Sequence, residues 1–355
     1  MDKRWKQLAN LLVTHSTGVQ PGEKVMIAFG EVETYPLVHA VYEACIRAGA
    51  LPQVQFLAED LNRQLLQYGS DEQIAWVPEI ESYGMEWADV YFGLRGAYNL
   101  NTFWDIPAGK LARYRKTMGV ISAQRWEKTR WCLVRIPNGA LAQQAGVDEE
   151  TVTDMFFNAC FLDWPESSKT WRRWASILDL GEQVRVVGKN TDLTFSTAGR
   201  SWDAMDGRIN MPDGEIATAP VEGTVNGTIT FEAPGVLGGR LVENIRLSWK
   251  EGKLCEAAAT THQDFLQAIL QTDAGASVIG EFAIGVNPAL TMFSNDILLD
   301  EKIGGTIHIA LGRAYPGVGG VNQSAIHWDI VKDMRQEGQI FLDGRLIYEN
   351  GRMLI

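Results

Sequence analysis

Two histidine-bearing runs near the carboxyl end constrain this chain more than any other stretch. In GTIHIALG, residues 305–312, Ile307, Ile309 and Leu311 alternate with Thr306, His308 and Ala310. That period of two predicts a β-strand with His308 on the less apolar face. In AIHWD, residues 325–329, His327 and Asp329 stand two apart, so a strand aims both at the same side. Between the runs lies RAYPGVGGVNQS, a turn-rich loop able to bring the second strand back beside the first. These runs hold two of the five histidines. Imidazole with carboxylate is a ligand set for Zn, Co, Mn or Fe. It equally describes a buried histidine satisfied by a neighbouring acid, and these residues alone leave both readings open.

Two further carboxylates bear on the choice. Glu215 follows the turn Pro212-Asp213-Gly214, and Glu281 interrupts an apolar, strand-like run from Val278 to Val286 between Gly280 and Gly285. A carboxylate buried in such a run needs a counter-charge. Two Glu, two His and one Asp would satisfy two divalent cations, one carboxylate bridging them.

The first half alternates differently. Trp5, Leu8, Leu11 and Leu12 share a helical face, and Gln20-Pro21-Gly22 turns the chain into the apolar strand 24–29. A helix over 35–48 ends at Gly49, then come a strand at 53–57, a helix at 60–68, a strand at 88–93, a helix at 108–117 and a strand at 131–134. This β-α-β order predicts parallel strands with right-handed crossovers, an open doubly wound α/β domain. Phe29-Gly30-Glu31 is acidic where a phosphate would sit, and no glycine-rich nucleotide fingerprint follows the strand. His39 in PLVHAVYEA reads as a packing histidine, and His15 as a capping or surface residue. Residues 138–178 read as helical, with Trp164, Trp171 and Trp174 as core or as a dimer contact.

From Gln183 short alternating runs (VRVVG, TDLTFST, GTITFE, ENIRLSW) predict a mostly β second domain, interrupted by one helix near 260–271 with His262 at its start in a structural position. The expected division is therefore an α/β domain over 1–181 and a metal-binding catalytic domain over 182–355. A net charge of -12 argues against nucleic acid or an anionic membrane as a main partner. The four cysteines form no CxxC pair, no run of 18 apolar residues occurs, and the amino terminus lacks a signal-peptide core. These features suggest free thiols and a cytoplasmic location.

The segments NMPDGEIATAPVEGTVNGTI, GEFAIGVNP, DEKIGGTIHIALGRAYP, NQSAIHWDIVKDMR and FLDGRLIYENG resemble, in order, those of the thermophilic-type metallo-aminopeptidases, the M29 family. The resemblance implies that Glu215, Glu281, His308, His327 and Asp329 are ligands of two divalent metals, Zn, Co or Mn. It places Tyr315 on the family's active-site tyrosine and Glu301 on a nearby acidic position. Catalytic roles then fall to Tyr315 as oxyanion donor, to Glu281 as bridge, and to Glu301 as proton relay or support for His308. It further implies short peptides or aminoacyl compounds as substrates, removal of amino-terminal residues through a metal-activated water, and a homodimer. This chain is shorter than the family's usual length, with the deficit in the first half. A shorter, related architecture resembles the 2,5-dihydroxypyridine ring-cleaving dioxygenases, which use a single Fe(II). A non-catalytic metal-binding protein is the third reading.

Overall fold

The computed structural model describes residues 2–99, 101–124 and 128–355. They form two compact units, Met1–Phe161 with Gly207–Pro212, and Leu162–Asp206 with Asp213–Ile355.

The first unit is built on a parallel sheet of β1 (Lys24–Phe29), β2 (Leu51–Phe56), β3 (Val90–Arg95) and β4 (Arg130–Arg135), in the order β2-β1-β3-β4, with Asn210–Met211 added beside β4. Apolar side chains dominate β1, β3 and β4, as expected where crossover helices leave neither face to solvent. Helix Tyr35–Arg47 makes the first crossover. Pro36 sits in its first turn, where a missing N–H costs nothing, and Gly49 at φ 79° turns the chain toward β2. The expected α/β unit is present, with strand ends displaced by a few residues. Pairing of Val25 with Val90 and of Lys24 with Leu51 sets those ends, which local periodicity does not report. His39 does not pack in the core. It is exposed on its helix, its ring 6.5 Å from that of Tyr35. His15 lies half-buried in a π-helical turn, Leu12–Ser16.

The second unit contains an eight-stranded antiparallel sheet, formed mainly by residues 183–196, 226–258 and 339–353, and a five-stranded antiparallel sheet. The latter runs β5 (Asp203–Met205), β6 (Glu215–Thr218), β7 (Ile279–Gly285), β8 (Thr306–Gly312) and β9 (His327–Asp333), each strand paired with its neighbour in chain order. Helix Trp164–Leu178 belongs to this unit, whereas the expected division at Gly181 put it with the first. Ser168 Oγ and Arg172 Nη2 bond Asp206 Oδ2 at 2.6 and 2.7 Å, and Trp174 donates to the Ile355 carbonyl at 2.8 Å. Trp164 and Trp171 are buried, edge to face at 5.9 Å, so they are core and not a free contact surface.

One face of the five-stranded sheet is apolar. Ile216, Phe282, Ile284, Ile307, Ile309, Leu311, Trp328 and Ile330 are all buried. Phe282 meets Phe195 of the eight-stranded sheet at 4.9 Å and Trp202 at 6.0 Å. At the end of this face Lys332, also buried, donates to the Thr230 carbonyl at 2.8 Å and pairs with Glu232 at 3.1 Å. The opposite face carries the candidate site.

Candidate metal centre

Strand register explains why five distant residues converge. Gly285 pairs with Glu215, Ala283 with both Ala217 and His308, and Ala310 with both Glu281 and Asp329, while Gly312 pairs with His327. Paired residues of an antiparallel ladder share a face, and so do residues two apart. Glu215, Glu281, His308, His327 and Asp329 therefore all rise from one face, with Ala217, Ala283 and Ala310 as a low floor between them. The pairing slips between Ile279 and Glu281, a bulge at Gly280 that re-aims Glu281. A Cβ at Gly280 would strike the carbonyl oxygen of Gly312, and one at Gly285 that of Ile303, which accounts for glycine on both sides of the GEFAIG run.

Two further segments close over this face. Helix Ile297–Asp300 ends in Glu301 and Lys302. The Asp300 carboxylate accepts from Ser294 N and Oγ, both at 2.7 Å, and from Asn295 N at 2.8 Å, which fixes the turn before the helix. Asn322 holds the loop after β8 by donating to the carbonyls of Gly312 at 2.6 Å and Gly275 at 3.0 Å. That loop places the Tyr315 ring 4.9 Å from the His327 ring.

The side chains form two groups whose donor atoms lie within 4.8 Å of one another, Glu215 with Glu301 and His308, and Glu281 with His327 and Asp329. His308 Nε2 stands 3.6 Å from Glu215 and 3.8 Å from Glu281, and His327 Nε2 stands 3.2 Å from Glu281 and 3.3 Å from Asp329. Glu281 thus faces a histidine of each group. Lys302, also buried, lies 3.5 Å from Glu215 and 4.0 Å from Asp213, and pairs with Glu301.

Electrostatics here are far from those of water. Burial pushes Glu215 up to about 8, against the pull of Lys302. Burial also opposes ionisation of Glu281, but the imidazoles of His308 and His327 facing it override that and hold the carboxyl at about 2. For His308 burial disfavours the cation, and the carboxylates of Glu281, Glu215 and Asp329 outweigh it, giving about 9. His327 is raised well above its usual value by the same balance, with Asp329 the strongest partner. Tyr315 keeps 42% of its surface exposed, yet burial and four nearby carboxylates hold its phenol well above the ordinary value, so it remains a donor.

The donor set fits divalent metal. Nδ1 of His327 lies 2.7 Å from the Arg313 carbonyl, which can only accept, so Nδ1 carries a proton. That contact turns Nε2 toward two carboxylates, the outer-shell arrangement typical of a metal-binding histidine. Among the described residues, Glu215 Oε2 and Asp329 Oδ1 are buried without a hydrogen-bond partner. A cation held among these atoms would relieve both conditions.

A face of this composition, carried by the antiparallel sheet of the second unit, is a candidate metal site. The chain belongs to the thermophilic metalloprotease family (M29), whose model matches residues 1–353, and is thus an enzyme of the metallopeptidase class. It is 24% identical over 417 aligned positions to Aminopeptidase 2 of Geobacillus stearothermophilus, covering 98% of each chain. Its fold is similar to that of AmpT from Thermus thermophilus, with a TM-score of 0.88 at 23% identity over 99% of each chain. It is also similar to that of 2,5-dihydroxypyridine dioxygenase from Pseudomonas putida KT2440, with a TM-score of 0.66 at 14% identity over 99% of this chain and 96% of that one. At those identities the structural likenesses speak to fold alone.

All seven residues singled out in the sequence, Glu215, Glu281, Glu301, His308, Tyr315, His327 and Asp329, lie in this cluster. His39 and His262 have no place in it. Sequence reasoning passed over Lys302 and Asp213, both fully buried here. The signal for Lys302 is its place in ILLDEKIGG, the last of three consecutive charges inside an otherwise apolar run.

Proposed function

We propose that this chain is an aminopeptidase in which Glu215, Glu301 and His308 hold one divalent cation, and His327 and Asp329 hold a second, with Glu281 between them. The observation that carries this reading is the position of Glu281, 3.8 Å from His308 and 3.2 Å from His327, each histidine having its own carboxylate partner. The mixed nitrogen and oxygen donors suit Zn, Co or Mn. Bound there, such cations supply Lewis acidity and a water activated near neutral pH.

The protein's own groups supply the rest. Asp213, Glu215 and Glu301 gather around Lys302, and Glu281 and Asp329 lie against His327. In the loaded site the charge of these carboxylates is balanced by Lys302 and the two cations, so a peptide's free amino terminus would be held there as the neutral amine, with its first peptide bond oriented toward the cluster. Tyr315, kept protonated, donates to the oxygen on which charge develops during attack, an interaction worth about 3 kcal/mol where alignment is good. Glu301 stands with Glu215 and His308 as a ligand, a place nearer the metal than the relay role inferred from sequence. The two histidine–carboxylate groups favour two metals over the single iron of a ring-cleaving oxygenase.

The test is hydrolysis of a panel of aminoacyl-p-nitroanilides and short peptides with Zn, Co or Mn, beside the same peptides acetylated at the amino terminus. Release of single amino-terminal residues from free but not acetylated peptides, abolished by chelation, supports the proposal. One iron per chain with oxygen uptake and no hydrolysis would replace it with the oxygenase, and metal binding without turnover would leave a binding protein.

A further inference from the structure

Lys302 is the least expected charge in the molecule, a lysine with 0% of its surface exposed, set beside residues that the two-metal reading makes ligands. Burying an ammonium is costly unless it is paired, and the pairing here is one-sided. Its ion pairs run to Glu301, to Glu215 at 3.5 Å and to Asp213 at 4.0 Å. Two of those three partners belong to the group of Glu215, Glu301 and His308. The carboxylates of the other group face imidazoles, Glu281 and Asp329 both lying against His327. With neutral histidines, one group offers a metal two negative charges. The other offers two that the resident ammonium already engages, at shorter range than Asp213, which balances that ammonium from 4.0 Å.

We infer that Lys302 makes the two metal positions unequal. It is a positioning residue that holds Glu215 and Glu301 in place and repels the cation bound between them. The position at Glu281, His327 and Asp329 therefore fills first and tightly, and the position at Glu215, Glu301 and His308 fills second and exchanges readily. This inference rests on the two-metal reading. Its size follows from Coulomb's law. A monovalent and a divalent cation a few ångströms apart repel by several kcal/mol even at the effective dielectric of a partly solvated site, and the Asp213 carboxylate behind Lys302 and relaxation of the ligands absorb part of that. The expected surplus is a gap of at least about tenfold between the two dissociation constants.

The experiment is isothermal titration of the metal-stripped full-length chain with Mn²⁺, independent of turnover. The wild type is expected to show two steps. Glu215→Gln should remove the weaker step and leave the tighter one, and Asp329→Asn should do the reverse. Lys302→Met, which keeps length without charge, should tighten the weaker step by roughly tenfold or more and narrow the gap. Lys302→Arg should keep it. Two steps whose gap is unchanged or widened in Lys302→Met would overturn the inference, as would loss of the tighter step in Glu215→Gln. If Lys302→Met fails to fold, the order of filling seen with the two carboxylate variants decides the matter. A wild type that takes up a single ion, or none, would instead overturn the two-metal reading beneath it.

Discussion

Strands β3 and β4 of the first unit and β7 and β8 of the second are all largely buried and opposite in content. In β3 and β4 the buried run is Val90, Tyr91, Phe92, Leu94, then Cys132, Leu133 and Val134, with buried Arg135 at the strand's end. In β7 and β8 every residue is buried as well, yet Glu281 and His308 sit in mid-strand. The first pattern is what hydrophobic burial produces unaided. The second resists it, because each carboxylate in such a place must be neutralised or paired. Burial therefore does not separate a core from a site, whereas the chemistry of what is buried does. A protein that keeps acids and imidazoles in mid-strand gives up stability for a function located there.

That contrast can be broken from the polar side first. Glu281→Gln should lower peptide hydrolysis by at least about three orders of magnitude and reduce metal content, both measured on the same preparation. Retention of full activity would show that the mid-strand acid is structural. Truncations on apolar positions should show no such asymmetry between the sheets. Phe92→Ala and Phe282→Ala remove rings that are each fully buried and should each cost about 3–5 kcal/mol in chemical denaturation.

Metal should act on the second unit's stability and not through the first. At one hundred times its Kd a divalent cation adds about 2.7 kcal/mol by mass action, seen as a rise in Tm that Glu281→Gln suppresses. The smallest expected effect sharpens the contrast at two glycines. A Cβ at Gly93 in β3 meets the side chains of Leu133 and Tyr91, which can move, whereas one at Gly280 meets the backbone of Gly312 and Arg313, which cannot. Gly280→Ala should cost about 1–3 kcal/mol more than Gly93→Ala in parallel denaturation curves, and should also lower metal affinity by shifting Glu281.

Much of this arrangement was legible in the residues. Alternation in GTIHIALG put His308 opposite Ile307 and Ile309, and the spacing in HWD set His327 and Asp329 together, as the register of β8 and β9 bears out. The β-α-β order of the first half gave its parallel sheet. What remained hidden was the contribution of pairs far apart in sequence. Nothing local announces that Ala217, Ala283 and Ala310 would align as a floor, or that the bulge at Gly280 would turn Glu281. Lys302, the last of three charges at the end of a short helix, reads from sequence as solvated surface, and its burial depends on Asp213 and Glu215, contributed by a distant segment. Helix Trp164–Leu178 groups with the first half by sequence because its neighbours there are helical, while its contacts to Asp206 and Ile355 lie far along the chain.

The most direct measurement is anomalous scattering from crystals soaked in Mn²⁺ or Zn²⁺, collected at the edge of the metal. The account predicts two peaks, one among Glu215, Glu301 and His308 and one among Glu281, His327 and Asp329, with Glu281 reaching both. A single peak, or metal bound only at other residues, would contradict it.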